Sequence, residues 1–300
     1  MLTIFTMAKP FEGNIAVIQQ NAIRSWTLLR PTPEVILFGN DKGTADISAE
    51  FGLRHVQRIE RNEFGTPVLS DLFEKAQRLA RHDLLCYVNA DIIFMDDLID
   101  AADQVAQHKR RFLVVGQRWD LEVTVPFDFN VPDWQIILKD QVSTGAQLHA
   151  PSGIDYFIFR RGMWGVIPRF AVGRTAWDQW LIFRALQLGV TVIDATPTVC
   201  AVHQNHDYTH ASHKSKTELW FGEEALRNRQ LAGRSGSYSI VDARWELTPQ
   251  GLRIRIHPEG LGRLIDTWDI MYPGLRFLHR PLKVTWKLLR NARRVGGFRL

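Results

Sequence analysis

The stretch Leu84-Leu-Cys-Tyr-Val-Asn-Ala-Asp91 decides the fold that this sequence predicts. Its first five residues are apolar without a break, which predicts a strand buried on both faces, as the central strands of a parallel sheet are. Outward from it in both directions, short apolar runs alternate with segments of helical periodicity. This alternation predicts an α/β fold with a mostly parallel central sheet and helices on both faces. The predicted strands are 2–6, 35–38, 55–59, 84–88, 111–115, 156–159, 191–194 and 199–202, and the predicted helices are 15–29, 44–51, 67–81 and 176–188.

The sequence changes character after Trp220. Gly233–Ser237 (GRSGS) has the composition of a flexible joint. Tyr238–Leu247 and Leu252–Ile256, around a turn that contains Pro249 and Gly251, predict a β-hairpin, and the residues from about 260 onward are helical in pattern. We therefore predict a main domain over residues 1–232 and a C-terminal extension, a β-hairpin followed by basic helices, over residues 233–300.

Composition limits the classes of protein to which the chain can belong. With 300 residues, of which 45% are apolar and 23% charged, it has ample material for a core. No run approaches the roughly 18 apolar residues of a membrane span, and the N-terminus lacks the regions of a signal peptide. Cys86 and Cys200 lie in apolar runs and are predicted to be free thiols, which suits a reducing compartment. We therefore expect a cytoplasmic protein.

The net charge of +5 is located at the C-terminus. Residues 276–300 contain eight Lys or Arg and no acid, so residues 1–275 carry a net charge of −3. A mildly acidic body without zinc-finger spacing or an RNP-like strand argues against a nucleic-acid partner. In the tail, basic residues recur at helical spacing beside an apolar stripe formed by Leu282, Trp286 and Leu289. This pattern is typical of a helix at an anionic membrane surface; a helix packed on the domain with a solvated basic face is the alternative.

Several common nucleotide and hydrolase motifs are absent. The sequence contains no G-x-G-x-x-G after the first strand, no G-x-x-x-x-G-K-[ST], no H-E-x-x-H and no G-x-S-x-G. Rossmann dehydrogenases, P-loop phosphoryl transferases and α/β-hydrolases are therefore disfavoured. A parallel sheet still binds its ligand beyond the carboxyl ends of its strands, so the residues that directly follow strands are the candidates for a site.

Asn89 and Asp91 interrupt the apolar run at alternate positions, so both side chains are expected on the same side of the chain. Carboxylate and amide oxygens suit Mg²⁺ or Mn²⁺ bridging a diphosphate. The alternative is a polar strand end that caps the helix beginning near Asp96.

Histidines are concentrated after the last apolar strand, where they could complete a metal shell or contact phosphate. A solvated polar loop is the alternative. The four histidines of this stretch are His203, His206, His210 and His213.

Asp178 lies between Trp177 and Trp180 at a predicted helix start. Indole faces can cover the C–H face of a sugar while a carboxylate accepts from a hydroxyl. Alternatively, Asp178 complements the helix dipole and the tryptophans are core residues. Asp155, before a predicted strand, is a further candidate contact to an acceptor or a donor sugar, with an ordinary turn as its alternative.

These motifs, in this order, resemble those of the GT-A-fold glycosyltransferases, the nucleotide-diphospho-sugar transferases. Asn89-Ala90-Asp91 resembles a variant of their D-x-D motif, with Asn where the family more often has Asp. The helix start around Asp178 and the later His203 follow in the family's order, and the resemblance covers residues 1–215.

The resemblance implies a role for individual residues. The nucleotide would be held at Thr6, in the first strand, and at Asn40 and Asp41, in the loop after the second strand. A divalent ion, Mn²⁺ or Mg²⁺, would be held by Asp91 and His203.

We add Asn89 to this metal-binding set. The resemblance also implies that Asp178 would be the catalytic base of an inverting enzyme. Asp155, Trp177, Trp180 and His206 are predicted to contact the acceptor or the sugar.

The sequence therefore predicts transfer of a sugar from a nucleotide-diphosphate sugar to a glycan or lipid-linked acceptor in the cytoplasm. If the basic tail binds a membrane, the protein would lie peripherally on its inner face. Two alternatives remain open. A sugar-phosphate nucleotidyltransferase would usually carry a basic glycine-rich loop after the first strand, where this chain has only Lys9. A non-catalytic module would bind a sugar nucleotide or a carbohydrate without consuming it.

Overall fold

A nine-stranded sheet forms the centre of the protein. The computed structural model describes residues 1–123, 125–205, 216–255 and 258–295. The described strands are β1 (Leu2–Met7), β2 (Glu34–Phe38), β3 (Arg54–Val56), β4 (Leu84–Val88), β5 (Ile92–Ile93), β6 (Phe112–Val115), β7 (Arg118–Leu121), β8 (Gln147–Leu148), β9 (Tyr156–Arg160), β10 (Thr191–Asp194), β11 (Ala201–Gln204), β12 (Trp245–Thr248) and β13 (Gly251–Ile254). The order in the large sheet is β13-β12-β10-β6-β9-β4-β1-β2-β3, and all its strands except β9 and β13 run in one direction. The predicted mostly parallel sheet is confirmed.

Helices cover both faces of this sheet, as predicted. The described helices are α1 (Gly13–Thr27), α2 (Thr44–Glu50), α3 (Leu69–Leu79), α4 (Asp97–His108), α5 (Trp134–Gly145), α6 (Trp177–Gln187), α7 (Lys216–Phe221), α8 (Glu223–Ala232), α9 (Pro258–Asp266), α10 (Trp268–Met271) and α11 (His279–Val295). On β4, Leu85 and Tyr87 point into a cluster shared with α3 and α6, whereas Leu84, Cys86 and Val88 point into a cluster shared with α1 and α4. This alternation explains why the strand is apolar throughout.

A second, four-stranded sheet begins where strands of the large sheet end. Its order is β5-β11-β7-β8, with β11 parallel to β7 and antiparallel to β5. The chain passes from β4 to β5 through 89–91, and from β6 to β7 through 116–117. Helix α5 packs on this sheet through Trp134, Leu138 and Val142. The small sheet and α5 were not predicted.

The predicted hairpin, β12 and β13, is part of the large sheet, because β12 pairs in parallel with β10. Its first arm begins at Trp245 rather than at Tyr238, because Ser239 and Asp242 form a capping box on a 3-10 turn before the strand. The predicted flexible joint, Gly233–Ser237, is likewise a 3-10 helix with Ser235 buried. The division into domains at residue 232 stays a prediction.

The C-terminal residues from Pro258 to Val295 are largely helical, as predicted. In the part of the chain that the structure describes, none of the helices combines the length and apolar composition needed to cross a bilayer. Cys86 and Cys200 are free thiols, as predicted; Cys86 is buried and Cys200 is partly buried.

Candidate active site

Polar residues converge at the edge of the large sheet where its parallel strands end. Asn89 and Asp91 follow β4, and His203 lies on β11 beside β5. Asp155 precedes β9, which runs antiparallel to β4, so Tyr156 pairs with Val88 at the same edge. Because β9 runs antiparallel to β4, Asp155 at the start of β9 lies near Asn89 at the end of β4.

Asp91 and His203 lie together, as the resemblance implies. The Oδ2 atom of Asp91 is 3.7 Å from Nε2 of His203, whose side chain is 6% exposed. Burial lowers the pKa of His203 below its ordinary value of 6.5, although the charge of Asp91 opposes this. The imidazole is therefore neutral at pH 7, the form that binds metal ions.

Asp120, on β7, is the centre of a group of nitrogen donors. Its Oδ1 accepts from Arg118 Nε at 2.9 Å and lies 3.1 Å from His203 Nδ1, while its Oδ2 accepts from His149 Nδ1 at 2.6 Å. Partial burial disfavours the ionised form of Asp120, but the hydrogen bond from His149 and the charge of Arg118 outweigh this and hold its pKa below the usual value. Asp120 is therefore a carboxylate at neutral pH.

Asn89 is bound to Asp155. Its Nδ2 donates to Asp155 Oδ1 at 2.6 Å, and its Oδ1 accepts from the Tyr87 hydroxyl at 3.1 Å. Asp155 Oδ2 also accepts from Arg118 Nη1 at 2.8 Å. Both polar ends of Asn89 are thus engaged within the protein, and we do not place it among the metal ligands.

Asp178 lies in the first turn of α6, as predicted, and is partly buried. Ala176, just before the helix, has a φ of 84°, a left-handed conformation that is strained for a residue with a Cβ. Burial raises the pKa of Asp178 to about 7, against the effect of backbone amides, and the charge of Asp155 adds to the rise. Gln179 donates to Asp178 Oδ2 at 3.0 Å. A carboxylate with a pKa near 7 is suited to take up a proton at neutral pH.

The two tryptophans beside Asp178 are core residues. Trp177 packs edge-on against Tyr87, and Trp180 packs against Phe170. Trp177 is 5% and Trp180 is 8% exposed, so neither offers an open indole face. We therefore assign them packing roles rather than sugar stacking.

The residues predicted to hold the nucleotide lie at the same edge of the sheet, Thr6 near the end of β1 and Asn40 and Asp41 just beyond β2. Thr6 is fully buried, and its hydroxyl donates to the Val88 carbonyl at 2.6 Å, so it joins the ends of two strands. Asn40 is exposed, and Asp41 Oδ2 accepts from Arg61 Nη2 at 2.9 Å. Asn40 and Asp41 stay predictions as nucleotide contacts. His206, His210 and His213 lie outside the described residues.

The donor atoms present fit a divalent cation. Asp91 Oδ2 and His203 Nε2 face each other across a gap longer than a hydrogen bond. Among the described residues, the cluster combines the carboxyl groups of Asp91, Asp120 and Asp155 with the guanidinium of Arg118. Within residues 1–123, 125–205, 216–255 and 258–295 no set of three or more His, Cys, Asp or Glu is arranged to hold a metal. Asp91 and His203 would therefore be the protein ligands, and substrate or water would supply the rest.

Three residues of this cluster, Arg118, Asp120 and His149, were not predicted from sequence. Arg118 and Asp120 alternate just beyond a predicted strand, 111–115, so the rule that led to Asn89 and Asp91 could have found them. His149 precedes no recognisable motif, and only the fold brings it to Asp120.

Comparisons with known proteins bear on the fold. No protein-family model matches the sequence, and no curated protein matches it. Among solved structures, TarS from Staphylococcus aureus in complex with UDP-GlcNAc is 12% identical, with a TM-score of 0.48 and coverage of 100% of this chain and 93% of that chain.

Two further solved structures are similar to this chain. Glucosyl-3-phosphoglycerate synthase from Mycobacterium tuberculosis, in complex with Mn²⁺, UDP and phosphoglyceric acid, is 14% identical, with a TM-score of 0.46 and 78% of each chain covered. Mannosyl-3-phosphoglycerate synthase from Rubrobacter xylanophilus is 16% identical, with a TM-score of 0.44 and 85% of this chain and 84% of that chain covered. These are nucleotide-diphospho-sugar transferases, the family that the sequence motifs resemble, and the likeness concerns the fold alone.

Proposed function

We propose that the chain is a glycosyltransferase that moves a sugar from a nucleotide-diphosphate sugar to an acceptor hydroxyl. The observation that carries the proposal is one connected cluster at the sheet edge. Asp91 faces His203, His203 lies beside Asp120, and Arg118 joins Asp120 to Asp155. The charge of Asp155 in turn acts on Asp178. In this proposal, the pair that would bind a cation and a carboxylate able to take up a proton belong to the same site.

Charge supports a metal-assisted reaction. The carboxylates of the described cluster, Asp91, Asp120 and Asp155, would repel a diphosphate, so a dication between them and the donor would favour binding. Asp91 and His203 would hold Mn²⁺ or Mg²⁺, which when bound would offset the charge that develops on the leaving diphosphate. Arg118 supplies a fixed positive charge among the described residues and orients Asp155.

Asp178 would act as the general base. An acceptor hydroxyl is a poor nucleophile until its proton is removed, and a carboxylate in contact with it can accept that proton as the bond to the sugar forms. The raised pKa of Asp178 makes its carboxylate a stronger base than that of an ordinary aspartate. A base on the acceptor favours inversion at the anomeric carbon.

The test is turnover of sugar nucleotides, screened with Mn²⁺, by Asp91→Asn and Asp178→Asn. We expect both substitutions to lower kcat by about 10²-fold or more, because each removes a charge used in the transition state. Asp83→Asn is a matched control, since Asp83 precedes β4 at the opposite end of the strand and its side chain is 78% exposed. Near-wild-type turnover in both site variants would contradict the proposal.

Other results, from calorimetry and from a pyrophosphate-release assay, would favour the two alternative functions. Binding of a sugar nucleotide by calorimetry without any turnover would indicate a non-catalytic binding module. Release of pyrophosphate from a nucleoside triphosphate and a sugar phosphate would indicate a nucleotidyltransferase.

The C-terminal helix suggests where the acceptor is found. On α11, Leu282 and Trp286 are half-buried, and Trp286 lines a cavity of about 390 Å³ together with Leu261 and Leu264. Pro281, Val284 and Leu288 are exposed, as are the basic residues Arg280, Lys283 and Lys287. We propose that this outer face binds an anionic membrane surface from the cytoplasmic side, so that a glycan or lipid-linked acceptor would be presented at the membrane.

A further inference from the structure

The cluster contains a carboxylate that the resemblance does not account for. Asp120 on β7 is the register partner of His203 on β11, in two parallel strands. Asp120 Oδ1 lies 3.1 Å from Nδ1 of His203, whereas Asp91 Oδ2 lies 3.7 Å from Nε2. The His203 imidazole is thus placed between two carboxylates, each of which faces a different ring nitrogen.

This placement gives the two ring nitrogens different roles. An ionised carboxylate only accepts hydrogen bonds, so the nitrogen that faces Asp120 is expected to carry the proton. Nε2 then presents its lone pair to the gap between His203 and Asp91, where a cation would bind. A carboxylate behind the imidazole that orients it and raises its basicity is a common partner of metal-binding histidines.

Asp120 is itself held in place by two other side chains. Arg118 Nε and His149 Nδ1 donate to its two oxygens at 2.9 Å and 2.6 Å. The ring of His149 fits against Gly153, where an added Cβ would lie only 2.2 Å from the ring carbon Cδ2. The carboxylate therefore cannot turn away from His203 without breaking these contacts.

We propose that Asp120 is a positioning residue that orients His203 so that Nε2 faces Asp91 and the metal ion. Asp120 lies on β7, the strand that pairs with β11, which carries His203. This inference rests on the proposed metal-assisted function.

The test measures Mn²⁺ binding to the full chain by electron paramagnetic resonance, without any substrate. We expect Asp120→Asn and Asp120→Ala to weaken Mn²⁺ binding about 10- to 100-fold. Asp155→Asn is the matched control, because it removes a charge from the same cluster without touching His203, and we expect a smaller change. Equal weakening by Asp155→Asn would indicate a general effect of charge and would overturn the positioning role, as would unchanged binding in both Asp120 variants.

A second measurement reads His203 in the wild-type protein and does not depend on whether the Asp120 variants fold. In ¹⁵N-histidine NMR spectra, with His203 assigned by His203→Gln, we expect the neutral tautomer protonated at Nδ1. A proton on Nε2, or an absence of Mn²⁺ binding by the wild type, would overturn the inference. If Mn²⁺ binds as expected but no sugar nucleotide is turned over, the proposed function fails and the role of Asp120 stands.

Discussion

Two unfavourable features meet at the start of α6. Ala176 adopts a left-handed conformation, and Asp178, two residues later, is a carboxyl group whose pKa burial raises to about 7. Strained backbone and destabilised charge persist only where the surrounding packing imposes them, and they are frequent at functional sites. Trp177 and Trp180, packed in the core on either side of Asp178, provide that packing. The core packing of Trp177 and Trp180 thus holds Asp178, the proposed base, in its position at the start of α6.

Asp178→Asn is expected to stabilise the protein at pH 8. The pKa of Asp178 in the folded state, about 7, lies above the ordinary value of 3.8, so protonation favours folding. The stability contributed by this group is fully present below pH 3.8 and is lost as the pH rises through about 7. The neutral amide avoids that loss, so the melting temperature of the variant should exceed that of the wild type at pH 8 by more than it does at pH 5. A difference in melting temperature that does not change with pH would contradict the burial of this charge.

Individual site residues could be predicted only where a local pattern marks them. Asp91 and His203 directly follow apolar runs, and the structure brings them together. The engagement of Asn89 with Asp155 could not be predicted, because it depends on the antiparallel insertion of β9 between two parallel strands. Tryptophans at a helix start have the same pattern in a core as in a sugar site, so the burial of Trp177 and Trp180 was not predictable either.

At the scale of elements, periodicity predicted long segments well and short ones poorly. The main strands and α1, α3 and α6 follow the predicted pattern, because buried faces impose a period on the sequence. Strands β5 and β8 have two residues each, too few to show any period. On α11 the sequence predicted an apolar stripe containing Leu282 and Trp286, but both are half-buried, and exposed apolar residues lie elsewhere on the helix.

That difference makes the membrane proposal specific to one face of α11. We expect the protein to float with vesicles of phosphatidylcholine and phosphatidylglycerol but not with phosphatidylcholine alone, because each basic residue near an anionic surface contributes about 1 kcal/mol. Val284→Asp combined with Leu288→Asp should abolish flotation, since these side chains are 59% and 65% exposed. Ile136→Asp, at a similarly exposed site on α5, should not. Flotation of the double variant, or a dimer mediated by this face in gel filtration, would contradict the proposal.

At the scale of the whole molecule, the hairpin continues the central sheet. Leu247 of β12 is fully buried in the cluster that includes α1 and α4, and Tyr238, Ile240 and Ala243 belong to the cluster on the other face. Asp194 at the end of β10 also accepts from Arg255 Nη1 at 2.8 Å. Residues 238–255 are therefore bound to the body by a strand pairing, by both core clusters and by an ion pair.

A chain of residues 1–232 is accordingly expected to be unstable. Without residues 238–255, β10 becomes an exposed sheet edge and the buried partners of Tyr238, Ile240 and Leu247 become exposed to water. A chain of residues 1–255 keeps all these contacts and should unfold cooperatively in a thermal melt followed by circular dichroism. Cooperative unfolding of the 1–232 chain at a similar temperature would show that the hairpin is dispensable.

The antiparallel strand β9 is held on both sides by neighbouring strands, whereas the segment before it can change in sequence and length. Its position is fixed by pairing with β4 and β6 on both sides, and Asp155 directly precedes its first residue. The segment 149–154 that leads into it contributes His149 and the Ser152 carbonyl, 3.5 Å from Gln179 Nε2. Insertions or substitutions in this segment can therefore reshape this side of the candidate site while the paired strand keeps Asp155 in place. If the proposed function holds, acceptor choice can thus diverge without redesign of the sheet.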